Sequence, residues 1–356
     1  MKITFNHSLI ILSAVMLFFG VSCEKKNCKK GITEKVYVAN EEDGSVTVFD
    51  ANTHEILKTV YLEYRGDMYM AHNIQVAPDN NSVWITAAVM DEHRSAGDET
   101  HEDMVFVLKG KREKDKEHIN IGEDQHPAHI ILDDNSEFAY VTAHEKHQLI
   151  KIDAKKYEVV DRIDLGDGTY PHGMRYMNGK IYVACMGTNE LAIVDAANRS
   201  VSKVPMGGIA VQTAVLPVLD AVFTTVYDLK MVVRYDLNTG DTTQIHLPFG
   251  SQGPIQLYPS PDNSKVYVCD QGIVNGNPVN NKLYVIETAS NTVTNTVTVG
   301  NGAHGVVTSI DGSQIFVTNL SDQTVSIIDA ATLEVKNTIA VELTPNGISV
   351  MKCDCD

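Results

Sequence analysis

The stretch "KVYVANEEDGSVTVFDANTHEILKTVYL" (35–62) decides the fold, because the chain repeats its pattern several times. It contains an apolar strand, a polar turn, an alternating strand that ends in Asp, a second turn and a third alternating strand. Alternation rich in Thr, Val, Ile and Tyr predicts β-strands, and the Asp-Ala-Asn-Thr segment predicts a turn between them. Similar units occupy 138–166, 180–207, 265–300 and 314–342.

A further short apolar strand precedes most units, as in "HNIQVAP", "HGMRYM" and "HGVVTSI". Four strands in a repeat of about 40 to 50 residues predict a β-propeller. Six innermost strands begin near His72, His129, His172, Gln212, Gln256 and His304. The unit at 35–62 lacks this strand, and "LTPNGISVM" (343–351) supplies it. The sequence therefore predicts an all-β, seven-bladed propeller over 35–352, closed by pairing N- and C-terminal segments in one blade.

The tetrapeptides "YVAN", "YVTA", "YVAC", "YVCD" and "FVTN" are repeated at the start of the units. They resemble the hallmark of the YVTN family of propeller repeats. This resemblance covers nearly all of 35–352. It implies the propeller fold and leaves the function open, because the family is broad.

The N-terminal segment has the pattern of a targeting signal. Lys2 precedes an apolar run from Leu9 to Phe19, which is too short to span a bilayer and suits a signal peptide. The following "GVSC" ends at Cys23 and resembles a bacterial lipobox. We therefore expect a lipoprotein signal peptide over 1–22, lipidation of Cys23, a tether over 23–34 and a Cys-rich tail over 353–356. This predicts an outer-membrane lipoprotein, held to the membrane by its lipid on the periplasmic or cell-surface side.

Composition narrows the possible partners. The 356 residues are 43% hydrophobic and 21% charged, which is typical of a globular protein. The formal net charge of −17 argues against a nucleic-acid partner and favours the attraction of cations. The sequence contains no Gly-x-Ser-x-Gly, no phosphate-binding Gly-Lys-Ser/Thr loop and no His-Glu-x-x-His. We therefore lean against an enzyme.

Histidines recur where the chain enters the innermost strands. In ring order the aligned residues are Asn346, His72, His129, His172, Gln212, Ile255 or Gln256, and His304. All should line one mouth of the central channel. Neutral imidazole is a common ligand of copper and zinc, so we predict that His72, His129, His172 and His304 bind a metal ion. The alternative is a polar channel in which these histidines only hydrogen-bond to their neighbours.

Loops that share this face carry further candidates. A long insertion over 87–104 is predicted to be either a lid or a solvated loop, and "AHEKHQ" contains His144 and His147. The possible accessory ligands are His126, His93, His101, Gln212, Asn346, Cys353 and Cys355. Cys185 and Cys269 are expected to be buried small residues.

Three functions remain open from the sequence. The first is a binding protein for a metal ion, possibly copper or zinc, or for a metal-containing cofactor such as a tetrapyrrole or corrinoid. The second is a non-catalytic surface module for a protein, glycan or corrinoid partner, with an outer-membrane or periplasmic protein as the possible partner. The third is a metal-dependent oxidoreductase or hydrolase. Loose resemblances support the first two: the propeller of nitrous oxide reductase binds copper through histidines, and some surface lipoprotein propellers capture corrinoids.

Overall fold

The computed structural model of the protein describes residues 33–90, 102–110, 113, 115–272 and 277–353. Seven antiparallel sheets make up this part of the chain. The innermost strand of each sheet contacts the innermost strand of the next, and the last contacts the first. The ring is therefore closed, and the predicted seven-bladed propeller is confirmed.

The strands follow the predicted order in every blade. Blade 1 contains β1 (Glu34–Asn40), β2 (Ser45–Asp50), β3 (Ile56–Tyr61) and, from the C-terminus, β29 (Pro345–Lys352). Blade 2 contains β5 (Asp67–Val76), β6 (Ser82–Val89), β7 (Glu102–Lys109) and β8 (Asp115–Glu123), with the short β4 (Glu63–Tyr64) beside β5. Blade 3 contains β9 (Pro127–Leu132), β10 (Phe138–Ala143), β11 (Gln148–Asp153) and β12 (Glu158–Asp164). Blade 4 contains β13 (Pro171–Met177), β14 (Lys180–Cys185), β15 (Glu190–Asp195) and β16 (Val201–Pro205).

The remaining blades repeat the pattern. Blade 5 contains β17 (Ala210–Leu216), β18 (Ala221–Val226), β19 (Met231–Asp236) and β20 (Thr242–His246). Blade 6 contains β21 (Pro254–Pro259), β22 (Lys265–Asp270), β23 (Lys282–Glu287) and β24 (Thr292–Thr298). Blade 7 contains β25 (Ala303–Thr308), β26 (Gln314–Asn319), β27 (Thr324–Asp329) and β28 (Val335–Ala340).

The C-terminal strand closes the ring. β29 pairs antiparallel with β1, from Glu34 opposite Lys352 to Asn40 opposite Pro345. This confirms the predicted pairing of the two ends of the chain. β1 is thereby paired on both sides, so its inner edge is covered, which protects a β-protein against edge-to-edge association.

The Asp that ends the third strand of a blade organises the next turn. Asp50 accepts hydrogen bonds through Oδ1 from the backbone N–H of Asn52 at 2.7 Å and of Thr53 at 3.1 Å. Asp153, Asp195, Asp236 and Asp329 accept the same two bonds in their own blades. Side-chain caps of this kind favour a tight turn, so the repeated Asp is a turn signal as predicted.

A threonine near the end of the second strand ties neighbouring blades together. The Thr142 hydroxyl accepts from the backbone N–H of His129 in its own blade at 2.8 Å and donates to the carbonyl of His172 in the next blade at 2.8 Å. The hydroxyls of Thr86, Thr225 and Thr318 make the same bridge in other blades. The Thr of the "YVTA" and "FVTN" tetrapeptides therefore links two innermost strands.

The hydrophobic core lies between adjacent sheets. The rings of Phe49 in blade 1 and Phe316 in blade 7 meet edge to face, with centroids 5.9 Å apart. Trp84, the single tryptophan, is 1% exposed and packs between blades 2 and 3. Among the described residues, no helix has the length and apolar character needed to cross a membrane.

Candidate functional site

Every innermost strand contains a β-bulge near its start. In β5, Ala71 pairs with Ala87 and Asn73 with Thr86, so the register slips between them. The same slip occurs in the other six innermost strands. A bulge places two residues opposite one, so each blade brings a pair of neighbouring residues to the channel.

The two members of each pair lie at different depths. The first residues of the pairs are His72, Ala128, His172, Val211, Ile255, His304 and Asn346. The second residues are Asn73, His129, Gly173, Gln212, Gln256, Gly305 and Gly347. The predicted alignment was wrong by one residue at His129 and Gln212, which are second residues. The alignment failed because an alternating sequence pattern does not show where a strand carries the extra residue of a bulge.

Glycine is the second residue of the pair in blades 1, 4 and 7, where neighbouring innermost strands approach closely. A Cβ at Gly173 would come within 2.6 Å of the Cα of Gln212 in the next blade. A Cβ at Gly305 would overlap the carbonyl oxygen of Asn346, and one at Gly347 would lie 2.9 Å from the Cα of Asn73. The His-Gly and Asn-Gly pairs therefore place a large side chain at the mouth and no side chain beneath it.

A cavity of about 250 Å³ opens at the mouth. Its walls come from blades 1 to 4 and are formed by Glu41, Met70, His72, Ala88, His126, Pro127, Ala128, His144 and His172. Two of the four predicted metal ligands, His72 and His172, line it. So does the predicted accessory residue His126, together with His144 from the β10–β11 turn. Glu41, in the β1–β2 turn, was not predicted from the sequence.

Glu41 and His72 form an ion pair at the edge of this cavity. His72 Nδ1 lies 2.7 Å from Glu41 Oε1, and Asn346 Nδ2 donates to Glu41 Oε2 at 2.7 Å. Burial would raise the pKa of Glu41, but the charge of His72 and the hydrogen bonds from His72 and Asn346 outweigh it and lower that pKa to about 2. Burial likewise opposes the charging of His72, but Glu41 raises its pKa above the ordinary value.

His172 and His144, which also line the cavity, are held neutral. His172 Nδ1 lies 3.0 Å from the carbonyl of Val211, and His144 Nδ1 lies 3.2 Å from the carbonyl of Pro171. A carbonyl only accepts, so the proton of each ring is on Nδ1 and the lone pair is on Nε2. Burial, together with the charge of His72, lowers the pKa of His172 to about 3. Burial also lowers the pKa of His144.

The imidazoles of the mouth lie close to one another. The ring centroids of His72 and His172 are 5.9 Å apart, and those of His144 and His172 are 6.2 Å apart. Two imidazoles that bind one ion tetrahedrally at a bond length of about 2.1 Å have centroids about 5.3 Å apart, so both distances are longer than such a site requires. In their present rotamers, no three His, Cys, Asp or Glu side chains of the described chain converge as metal ligands.

His129 lies below the mouth in a layer of amides. Its side chain is buried, and its Nδ1 and Nε2 lie 3.3 Å from Gln212 Nε2 and 3.2 Å from Gln256 Nε2. Its ring centroid is 5.0 Å from that of His172 and 6.3 Å from that of His72. Burial and the neighbouring histidines lower the pKa of His129. Both ring nitrogens are thus occupied by protein contacts.

His304 is also buried and lies apart from the cavity. Its Nδ1 is hydrogen-bonded to Gln271 Oε1, and its Nε2 has no hydrogen-bond partner within the described structure. Burial and the charge of His72 lower its pKa to about 4. The four predicted ligands are therefore close to one channel, but the structure brings only His72 and His172 to the same cavity.

The remaining predicted residues are dispersed. Cys353 follows the end of β29 and is buried, with its backbone N–H donating to Thr33 at 2.6 Å. Because β29 runs from the mouth to the opposite face, Cys353 is not at the mouth. Cys185 and Cys269 are fully buried, as predicted. Cys23, His93, His101 and Cys355 lie outside the described residues.

No protein-family model matches the sequence, and no curated protein sequence matches it. Solved structures match the fold. Hydrazine synthase of Kuenenia stuttgartiensis is 15% identical at a TM-score of 0.65, over 80% of this chain and 96% of that one. Virginiamycin B lyase of Staphylococcus aureus is 14% identical at a TM-score of 0.64, over 88% of this chain and 92% of that one. The dihydro-heme d1 dehydrogenase NirN is 13% identical at a TM-score of 0.60, over 86% of this chain and 64% of that one. At these identities the likeness supports the β-propeller fold alone.

Proposed function

We propose that the protein binds a divalent metal ion at the channel mouth through Nε2 of His72, His144 and His172. One observation carries this proposal: in all three rings, Nδ1 is hydrogen-bonded to an oxygen acceptor. This fixes the ring and leaves Nε2 as the ligand atom. Metal-binding histidines usually have such a partner on the other nitrogen, often a carboxylate like Glu41.

The electrostatics of the mouth favour a cation. Glu41 stays ionised at neutral pH because its pKa is about 2. Two of the three imidazoles are neutral, so they offer lone pairs at no cost of deprotonation. Binding of one ion requires the rings to move closer together than their centroid separations of 5.9 and 6.2 Å. Three imidazoles and an open position suit Zn²⁺ or Cu²⁺.

The test uses the mature chain without a histidine tag. Zn²⁺ and Cu²⁺ are titrated by calorimetry, and the metal retained after dialysis is measured by mass spectrometry. We expect one ion per chain, lost in His72→Gln, His144→Gln and His172→Gln. His246→Gln is the matched control, because His246 lies exposed on the outermost strand of blade 5. Absence of retained metal, or equal retention in all four variants, would refute the proposal.

A metal-containing cofactor is the second candidate. The cavity opens at the mouth, and one structural neighbour is a dihydro-heme d1 dehydrogenase. A tetrapyrrole or corrinoid would need a single axial imidazole, so convergence of three rings would not be required. Titration with haem and with cobalamin, followed by absorbance, separates this candidate from a bare ion. A spectrum changed only in the wild type and not in His172→Gln would support it.

We also propose that the protein is an outer-membrane lipoprotein with its mouth available to a membrane or periplasmic protein. The support is the sequence pattern that ends at Cys23. Metabolic labelling with a fatty-acid probe tests the anchor, and Cys23→Ser should abolish the label and release the protein from the membrane fraction. Labelling that persists in Cys23→Ser would exclude lipidation at this residue.

A further inference from the structure

A second, larger cavity of about 420 Å³ lies at the opposite end of the channel. It is formed where the first strands of blades 5, 6 and 7 turn into the second strands, near Pro217, Ser260 and Ile310. A ligand pocket typically has 300–1,000 Å³, so this cavity has room for a small molecule. Neither the mouth histidines nor Glu41 contribute to it.

Arg175 reaches this cavity from the channel wall. It lies on β13, three residues after His172, and its Nη1 donates to the carbonyl of Met174 at 2.8 Å. Within the described residues, no carboxylate lies within 4.0 Å of its guanidinium. A guanidinium has five N–H donors, so most of them have no acceptor from the described protein.

Three other arginines of the described chain have hydrogen-bonded partners. Arg199 pairs with Asp161 at 2.9 Å, and Arg234 pairs with Asp236 at 2.9 Å. Arg162 donates to the carbonyl of Ile121 at 2.6 Å and to the side chain of Gln125 at 3.2 Å. Arg175 differs from them because it lines a cavity and its one hydrogen bond within the described residues goes to the neighbouring carbonyl of Met174.

The surroundings of Arg175 favour an anion. Its guanidinium carbon lies 6.0 Å from the ring centroid of Tyr258, which lines the same cavity. Burial lowers the pKa of Arg175, because the charged form has lost part of its water. The residue is half-buried and its unpartnered N–H groups remain accessible, so an incoming anion can pair with them.

The walls of the cavity indicate the rest of the ligand. Val215, Pro217, Val307 and Ile310 give the cavity apolar surface, and Tyr258 also lines it, with its ring centroid 6.0 Å from the guanidinium carbon of Arg175. The planar fork of arginine matches a carboxylate with two parallel hydrogen bonds. We propose that this cavity binds a small organic carboxylate with an apolar body, and that Arg175 pairs with the carboxylate.

The two sites are independent of each other. A smaller pocket of about 30 Å³ adjoins the cavity, and Arg175 and Tyr258 line both. It is also bordered by Gln256, which belongs to the amide layer around His129. The lining of the larger cavity contains none of His72, His144 and His172, so binding of the anion does not require a metal ion there.

The test uses 2-naphthoate as the probe, with 2-naphthamide as its uncharged analogue, measured by calorimetry and ligand-observed NMR on the full mature protein. We expect naphthoate to bind at least about ten-fold more tightly than naphthamide. Arg175→Gln should weaken naphthoate about ten-fold or more, since the charged hydrogen bonds are lost. Arg199→Gln removes the same charge from an exposed site and should leave the affinity unchanged.

A second variant keeps the test valid if Arg175→Gln does not fold. Ile310 is 43% exposed at the rim, so Ile310→Trp should fold, narrow the cavity and weaken naphthoate. Equal binding of naphthoate and naphthamide, or unchanged affinity in both variants, would overturn the site. Inorganic phosphate that binds as tightly as naphthoate would overturn the assigned ligand class.

Discussion

Replacing Glu41 with Gln should remove an ion pair whose contribution to stability depends on pH. The carboxylate has a pKa of about 2 in place of 4.5. At about 1.4 kcal/mol for each pH unit, this difference corresponds to about 3 kcal/mol between the ionised and protonated forms. His72 and Asn346 supply the two hydrogen bonds that the carboxylate accepts.

The sign of the effect follows from the two pKa shifts. Glu41 has a lowered pKa, so its stabilisation is complete above 4.5 and is lost as the pH falls toward 2. His72 has a raised pKa, so its stabilisation is complete below 6.5 and is lost as the pH rises through the folded-state pKa. The difference between wild type and Glu41→Gln should therefore be largest between pH 4.5 and 6.5, and less than half as large near pH 3.

Urea unfolding across this pH range, monitored by the fluorescence of the buried Trp84, measures the difference. Glu42→Gln is the matched control, because Glu42 is the exposed neighbour in the same turn. We expect the control to unfold like the wild type at every pH. A difference that does not vary with pH, or a Glu41→Gln protein as stable as the wild type near pH 5.5, would refute the ion-pair argument.

Four further predictions follow from the channel and the core. Zn²⁺ affinity should fall as the pH drops through the raised pKa of His72, since a proton then competes for Nε2; calorimetry between pH 5.5 and 8 measures this. Gly173→Ala should destabilise the fold by about 1–3 kcal/mol or more in urea unfolding, because its Cβ overlaps backbone in blade 5. Thr142→Val should cost about 1–3 kcal/mol, because two buried backbone groups lose their shared partner; an unchanged unfolding midpoint would argue against the bridge. Cys185 should resist thiol reagents below pH 9 in the folded protein, because burial raises its pKa to about 12, and fast labelling would contradict this.

The fold could be predicted from the sequence because its signals are local and repeated. Strand alternation fixes each blade, the capping Asp fixes the outer turn in five blades, and the missing innermost strand of blade 1 requires closure by 343–351. None of these signals depends on contacts between distant residues. The number of blades and the order of strands follow from counting units, so they are independent of the exact register within a strand.

The site could be predicted only in part, because it depends on register and on distant pairs. The alignment of His129 was wrong by one residue, because no sequence pattern marks where the bulge inserts its extra residue. Glu41 is separated from His72 by 31 residues, and only the closed ring brings them together. No sequence pattern marks Arg175, because its lack of an acidic partner is a property of the folded channel.

The seven bulges explain why the opening of the channel can bind one kind of ligand and its interior another. In a regular strand, neighbouring residues point to opposite faces, so only one of them reaches the channel. The bulge brings both residues of a pair to the channel, so a large side chain at one of the two positions leaves little space for a side chain at the other. His172 is accordingly followed by glycine, whereas Gln212 follows valine. The choice of which residue of a pair is large places histidines at the mouth in blades 2 and 4 and amides in the layer beneath them. The amide layer lies between the mouth and Arg175 at the far end of the channel. A cation and an anion can therefore be bound along one axis without meeting.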